Sequence, residues 1–467
     1  MRPYFKITFL PMIMLVLSLS TLAGDDAFVT GKIIERVAEI AEPTQSYALY
    51  LPSSYDPKKR YPIIYAFDPV GRGSLGVRSY QKAAEKYGYI VVGSNDSQNG
   101  VDAVKLTPIL NNLLHDTNDR LSIDGGRVLA TGFSGGARVA TALANACRDC
   151  VFGVIGSGAG FSEGVAVSKS LPFIFLGTSG IDDFNYSELR DLQKKLTSTG
   201  ITNRLLTFDG QHQWPPEPIA DLAIEWFEIQ EMKAGKQSKD DAVIASVFAA
   251  RAQRADALIG AKNNMAAHDE LVSLVADFSG SRDTSDITKK LADLERSREY
   301  KDELRAETEG FKTQAAQMDE IIGLEEMLSS PSRADMFPQL RQRVRDLRTH
   351  FDDATDSPQR RLSRRVLNGV FVSMFQGALL SDERNRKYDD ALAKLDLATE
   401  IAPKNPEVQY DRARLFALNK NKKKAVEALS KAVDLGFKNV ERIAQEQAFD
   451  AIRQDENFVR VVKGMTP

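Results

Sequence analysis

Apolar and polar positions along this chain change period about half-way. From about residue 30 to 232, short apolar runs alternate with stretches whose apolar positions recur at helical spacing. Residues 47–50, 61–67, 89–92, 127–131, 152–155, 172–176 and 204–208 read as strands. Residues 78–87, 101–115, 137–147, 186–197 and 220–232 read as helices. Continuous apolar strands such as YPIIYAF, alternating with helices, predict an α/β fold with a doubly wound, mostly parallel sheet covered on both faces. Residues 233–241, KAGKQSKDD, are wholly polar at their charged core and mark the expected linker. Beyond it the strand signal stops, and Ile244, Val247, Phe248 and Leu258 recur at helical spacing. Residues 242–386 therefore read as diverged helix pairs.

Residues 387–467 add a longer period. Ala391, Leu395 and Ala398 recur as Ala425, Leu429 and Ala432, each 34 positions later. A helix–turn–helix period of this length, with small alanines at the crossing points, resembles tetratricopeptide repeats and implies an all-α repeat domain with capping helices. Such a module suggests a protein partner.

At the start, Arg2 and Lys6 precede an apolar run, 9–19, and Thr21-Leu22-Ala23 offers a small-x-small cleavage site. Residues 1–23 read as a signal peptide, so the mature protein is expected to be exported, periplasmic or secreted. The apolar stretch 366–380 is interrupted by Asn368 and Gln376 and reads as a buried helix, so no membrane span is expected after cleavage. Lys+Arg 61 against Asp+Glu 64 leaves a net charge of −3, which gives no support for nucleic-acid binding. Two cysteines and four histidines leave no basis for a zinc or His-rich centre, and no metal or organic cofactor is expected. Cys147 and Cys150 follow a helix C-terminus, where the dipole disfavours a thiolate, and in an exported protein they read as a local disulfide. The charged stretches 341–348 and 361–365, interleaved with Asp346, Asp352 and Asp353, read as solvated helix faces.

The scarcity of histidine helps to locate chemistry. The segment RVLATGFSGGARVATAL, 127–143, places Ser134 in Gly-x-Ser-x-Gly between an apolar strand and an Ala-rich helix. That is the strand–turn–helix context of an exposed nucleophile. A serine nucleophile needs a base, and the base needs an orienting acid. His212, in the loop RLLTFDGQHQWPP after the last strand, alone lies downstream of Ser134 and inside the α/β half. The acid should follow the strand ending at Gly177, where the loop offers Asp183, the favoured candidate, and Asp182.

Gly-Phe-Ser-Gly-Gly, Gly-Thr with Asp-Phe-Asn-Tyr, and Phe-Asp-Gly-Gln-His-Gln-Trp together resemble the α/β-hydrolase family over about residues 45–229. The polyhydroxybutyrate-depolymerase-like, feruloyl-esterase-like and dienelactone-hydrolase-like branches come nearest. The resemblance implies Ser134 as nucleophile, Asp183 as acid, His212 as base and the Gly135 amide as one oxyanion donor. It implies a carboxylic ester substrate, small or polymeric, with peptidase activity left open. Where those esterases carry His-Gly, this chain has Asp68-Pro69. Proline lacks an N–H, so the second donor is expected from Val70 or Gly71. Asp68 reads as a brace for this glycine-rich loop, or else as a selector for a cationic substrate group. A hydrolase-fold binding or scaffold protein, working through its repeats, is the rival expectation.

Overall fold

The computed structural model describes residues 28–327 and 333–465. The segment read as an export signal lies outside them. Among the described residues eight strands form one sheet: β1 (Ile33–Ala38), β2 (Ser46–Tyr50), β3 (Tyr61–Phe67), β4 (Ile90–Ser94), β5 (Ile123–Phe133), β6 (Gly153–Ser157), β7 (Ile174–Gly180) and β8 (Asn203–Phe208). Their order across the sheet is β1-β2-β4-β3-β5-β6-β7-β8. β2 runs antiparallel to both its neighbours, and every pairing from β4 to β8 is parallel. Helices α1 (Gly73–Tyr87), α2 (Ala103–Arg120), α3 (Gly135–Ala146), α4 (Tyr186–Thr199) and α5 (Glu217–Lys233) alternate with the later strands.

The central strand β3 shows why the sheet is covered twice. All seven of its residues are buried. Ile63, Tyr65 and Phe67 join one apolar cluster, whereas Ile64 and Ala66 join another. Side chains alternate across a strand, so an unbroken apolar run feeds a core on each face. This is the doubly wound, mostly parallel sheet that the periodicity predicts. β1 went unread in the pattern because it is an edge strand with exposed Glu35 and Arg36 and a register shift before Val37. Parallel strands bring the segments after β3, β4, β5, β7 and β8 to one edge of the sheet, where sites in such folds form.

After α5 the described chain is helical: α6 (Asp241–Gly260), α7 (Asn264–Phe278), α8 (Ser285–Arg296), α9 (Arg298–Met327), α10 (Arg333–Phe351), α11 (Pro358–Gln376), a π-helical turn (Gly377–Glu383), α12 (Tyr388–Ile401), α13 (Pro406–Leu418), α14 (Lys422–Asp434), α15 (Val440–Gln445), a 3-10 turn (Gln447–Ile452) and α16 (Glu456–Lys463). Among the described residues no helix is long and apolar enough to cross a membrane. Ile229 of α5 packs into the same apolar cluster as Leu271 and Leu274 of α7. A buried ionic network crosses the same junction. Glu270 accepts from Arg204 of β8 at 2.6 Å and from Arg251 at 2.7 Å. Asp277 accepts from Arg251 at 2.6 Å, from the Trp226 indole at 3.0 Å and from Gln230 at 2.7 Å. Burial alone would raise the Glu270 carboxyl, but Arg204 and Arg251 hold it down at about 2.

One expectation about the helical half needs correcting. The arginines at 361–365 do not all lie on a solvated face. Arg365 is 7% exposed, and Arg364 reaches Asp182 of the sheet half. A long aliphatic stem and a planar fork suit arginine to such inward ion pairs.

Candidate active site

β5 runs straight into Ser134, whose φ of 53° and ψ of −120° are strained for a residue with a side chain. Its N–H donates to the Ser157 carbonyl at 2.8 Å, and α3 begins at the next residue. The two motif glycines make that turn possible by close approach. A Cβ on Gly136 would collide with the Phe67 carbonyl oxygen of β3, and one on Gly132 with the Gly136 carbonyl. The Gly135 N–H lies in the first turn of α3, where no helical carbonyl is available to accept it.

His212 lies on the loop after β8. Its Nδ1 is 3.0 Å from each carboxylate oxygen of Asp183. Asp183 is fully buried on the loop between β7 and α4, and it also accepts the Asn185 N–H at 2.8 Å. The imidazole is held between two rings, Phe133 at 4.5 Å and Phe184 at 4.3 Å between centroids. Phe133 immediately precedes Ser134, so His212 packs against the turn that carries Ser134. With Nδ1 facing Asp183, Nε2 is the nitrogen left for proton exchange. Among the described residues no hydrogen bond joins Ser134 Oγ to His212. Asp182 faces the other way, accepting from Arg364 Nη1 at 2.9 Å. The structure therefore brings Asp183, and not Asp182, to the histidine. His115 lies in α2, His268 in α7 and His350 in α10, all outside this cluster.

The loop after β3 departs from expectation. The Asp68 carboxylate accepts the Val70 N–H at 3.0 Å, both Arg72 Nε and Nη2, and the Trp214 indole N–H at 3.0 Å. The Gly71 N–H donates to the Asp68 carbonyl at 3.2 Å. Both N–H groups expected to supply the second oxyanion donor are thus turned into their own loop. Asp68 braces that loop and ties it to the histidine loop through Trp214. Its charge is paired with Arg72.

A residue that the sequence reading passed over stands nearby. Asn99, on the segment after β4, donates its N–H to the Pro69 carbonyl at 2.8 Å. Its carboxamide occupies the space that a side chain on Gly135 would need. A polar run following a parallel strand, Ser94-Asn-Asp-Ser-Gln-Asn99, was the available signal, since such segments line the site edge of a doubly wound sheet. Cys147 and Cys150 are bonded to each other at the far end of α3, with Cα atoms 5.4 Å apart. At 1.5 Å per residue that is about 18 Å from the turn that carries Ser134.

No protein-family model matches the chain, and no curated protein matches its sequence. Solved structures similar to it include a feruloyl esterase module from Clostridium thermocellum, at 16% identity and a TM-score of 0.35, covering 41% of this chain and 86% of that one. An S-formylglutathione hydrolase from Staphylococcus aureus is similar at 12% identity and a TM-score of 0.34, covering 43% and 98%. Esterase 2 of Thermogutta terrifontis is similar at 12% identity and a TM-score of 0.34, covering 45% and 96%.

Proposed function

We propose that the chain is an exported serine hydrolase of carboxylic esters, with Ser134 as nucleophile, His212 as base and Asp183 as orienting acid. The observation that carries this reading is the buried Asp183 carboxylate on His212 Nδ1, on a ring packed against the turn that presents Ser134. His212 Nε2 takes the Ser134 proton as Oγ attacks the ester carbonyl. Asp183 holds the ring and stabilises the imidazolium that forms. The tetrahedral oxyanion is received by the Gly135 N–H and, in place of the closed loop after β3, by the Asn99 Nδ2 amide once the carboxamide turns it towards Gly135. Collapse breaks the C–O bond, the alcohol leaves with the proton from His212, and an acyl-enzyme remains. Water, deprotonated by the same imidazole, releases the acid and returns the proton to Ser134.

Export is supported by the charged and apolar pattern of residues 1–23 and fits a bonded Cys147–Cys150 pair. Residues 387–467 serve, in this reading, as tetratricopeptide-like repeats for a protein partner. Ala391, Ala398, Ala413, Ala425 and Ala432 are all fully buried, which is where small side chains let paired helices cross closely.

One observation favours a second reading, a binding protein on a hydrolase scaffold: the N–H groups of Val70 and Gly71 are spent within their own loop. Covalent labelling by a fluorophosphonate separates the two. The hydrolase reading expects labelling of the wild type that is lost in Ser134→Ala and His212→Ala, followed by turnover of an ester panel. A well-folded wild type that neither labels nor turns over esters would leave the binding protein.

A further inference from the structure

We infer that helices α9 and α11 of the helical half clamp the loop that carries Asp183, so that Arg364, Arg365 and Gln314 are positioning residues for the Asp183–His212 pair. This inference rests on the serine-hydrolase reading above. The loop runs from Ile181 to Asn185, and the sheet half secures only part of it. The Ile181 N–H donates to Phe208 at 2.9 Å, and the Asp182 N–H donates to Gly210 at 3.0 Å. Three acceptors on the loop are taken up from far along the chain. Arg365 Nε donates to the Ile181 carbonyl at 2.7 Å. Arg364 Nη1 donates to the Asp182 carboxylate at 2.9 Å, and Gln314 Nε2 to the Phe184 carbonyl at 2.9 Å.

Packing reinforces these bonds. The Arg365 guanidinium lies 4.4 Å from the Tyr186 ring centroid, and the Tyr186 hydroxyl donates to Glu307 of α9 at 3.0 Å. Gly369 of α11 lies close to both Phe184 and Met318 of α9: a Cβ on Gly369 would sit 3.3 Å from Phe184 Cβ and 3.0 Å from the Met318 methyl. Phe184 in turn faces the His212 ring. Asp183 is thus flanked on both sides by residues anchored from the helices, while its own carboxylate reaches the base.

Adhesion between the halves does not require this arrangement. The Arg251, Glu270 and Asp277 network already joins them, at α5 and β8, without touching the acid loop. Burying the Asp182 carboxylate, 1% exposed, is costly without a partner, and the partner supplied is a single arginine of α11. Three polar contacts of α9 and α11 fall on the few residues where, on the hydrolase reading, a displacement of about 1 Å is enough to cost a large factor in rate.

Gln314→Ala is the cleanest test, because it removes one neutral donor and leaves no buried charge unpaired; Arg365→Met is the second variant. Hydrogen exchange at residues 181–186 and steady-state ester kinetics would be measured in the full chain. Each variant is expected to exchange faster at 181–186 and to lose about tenfold in kcat with KM unchanged. In an Asp183→Asn background the same changes should cost nothing further, because residues acting as a unit are non-additive. Exchange or kcat unchanged in both folded variants, or losses that multiply with Asp183→Asn, would overturn the clamp. Wild type that fails to label with a fluorophosphonate removes the hydrolase reading and the positioning role with it. The exchange rates then report separately whether the helices hold this loop.

Discussion

Ser134 and Asp183 stand at the same edge of one sheet, yet the contacts that hold them come from different distances along the chain. The nucleophile turn is fixed by neighbours of the sheet half: Gly132, Gly136, the Phe67 carbonyl and the Ser157 carbonyl. The acid loop takes hydrogen bonds from Gln314, Arg364 and Arg365, which lie 130, 182 and 184 positions from their partners. A turn built from close backbone approach needs only glycines in the right places. A loop whose carbonyls lie outside the sheet ladder, with a second buried carboxylate, needs donors brought from elsewhere. On the proposed reading, the turn that carries the attacking group is held from within the α/β half, whereas the loop of the proton-handling pair is held from the α/β half and from the helical half together.

The most severe way to break the comparison is at the acid itself. Asp183→Asn should lower kcat by about 10⁴ by losing the carboxylate that orients His212. Asp182→Asn should cost far less, because Asp182 faces Arg364 and acts only through the clamp. Equal losses would show that the two aspartates share the role. Next in size is the oxyanion side. Asn99→Ala is expected to reduce kcat by about 10²–10³ with little change in KM, the usual effect of removing one preorganised donor. An unchanged kcat would return the second donor to a rearranged loop after β3.

The junction between the halves makes a pH prediction. Glu270 is held at about 2 in the fold against an ordinary 4.5, so its ion pairs stabilise fully above about pH 4.5. That stabilisation is lost as pH falls from 4.5 towards 2, and it amounts to about 3 kcal/mol. Melting temperature against pH should therefore fall more steeply over this window in wild type than in Glu270→Gln. Glu270→Gln should also start lower at pH 7, because it leaves Arg204 and Arg251 undercompensated. Parallel curves would exclude Glu270 as the acid-sensitive group.

What the sequence made legible follows the same division. Ser134 and His212 could be nominated because Gly-x-Ser-x-Gly is local and only one histidine lay downstream within the α/β half. The strands could be read because runs such as Tyr61–Phe67 are apolar on both faces. The choice between Asp182 and Asp183 stayed open, since both follow one strand and what separates them is Arg364, far along the chain. Arg361 to Arg365 read as a solvated face because charge alone does not reveal which guanidinium turns inward. Val70 and Gly71 looked like free donors because a sequence does not show Asp68 folding back onto its own loop. Asn99 was one carboxamide in a polar run, marked only by a contact with Gly135.

The imidazole of His212 is where the two supports meet, and it allows the finest test of their independence. Phe133, from the nucleophile strand, lies on the ring at 4.5 Å, and Phe184, from the clamped loop, at 4.3 Å. An aromatic pair of this kind contributes about 0.5–1.5 kcal/mol beyond area burial, so Phe133→Leu and Phe184→Leu should each lower kcat by about twofold to tenfold. Their responses to a loosened clamp should differ. In a Gln314→Ala background the Phe184→Leu loss should largely vanish, because the Phe184 ring is then no longer held against His212. The Phe133→Leu loss should persist in full, since no residue of α9 or α11 is needed to place β5. Double-mutant cycles on kcat would read both couplings, and equal coupling of the two phenylalanines to Gln314 would mean that the helices steady the whole site instead of its acid side.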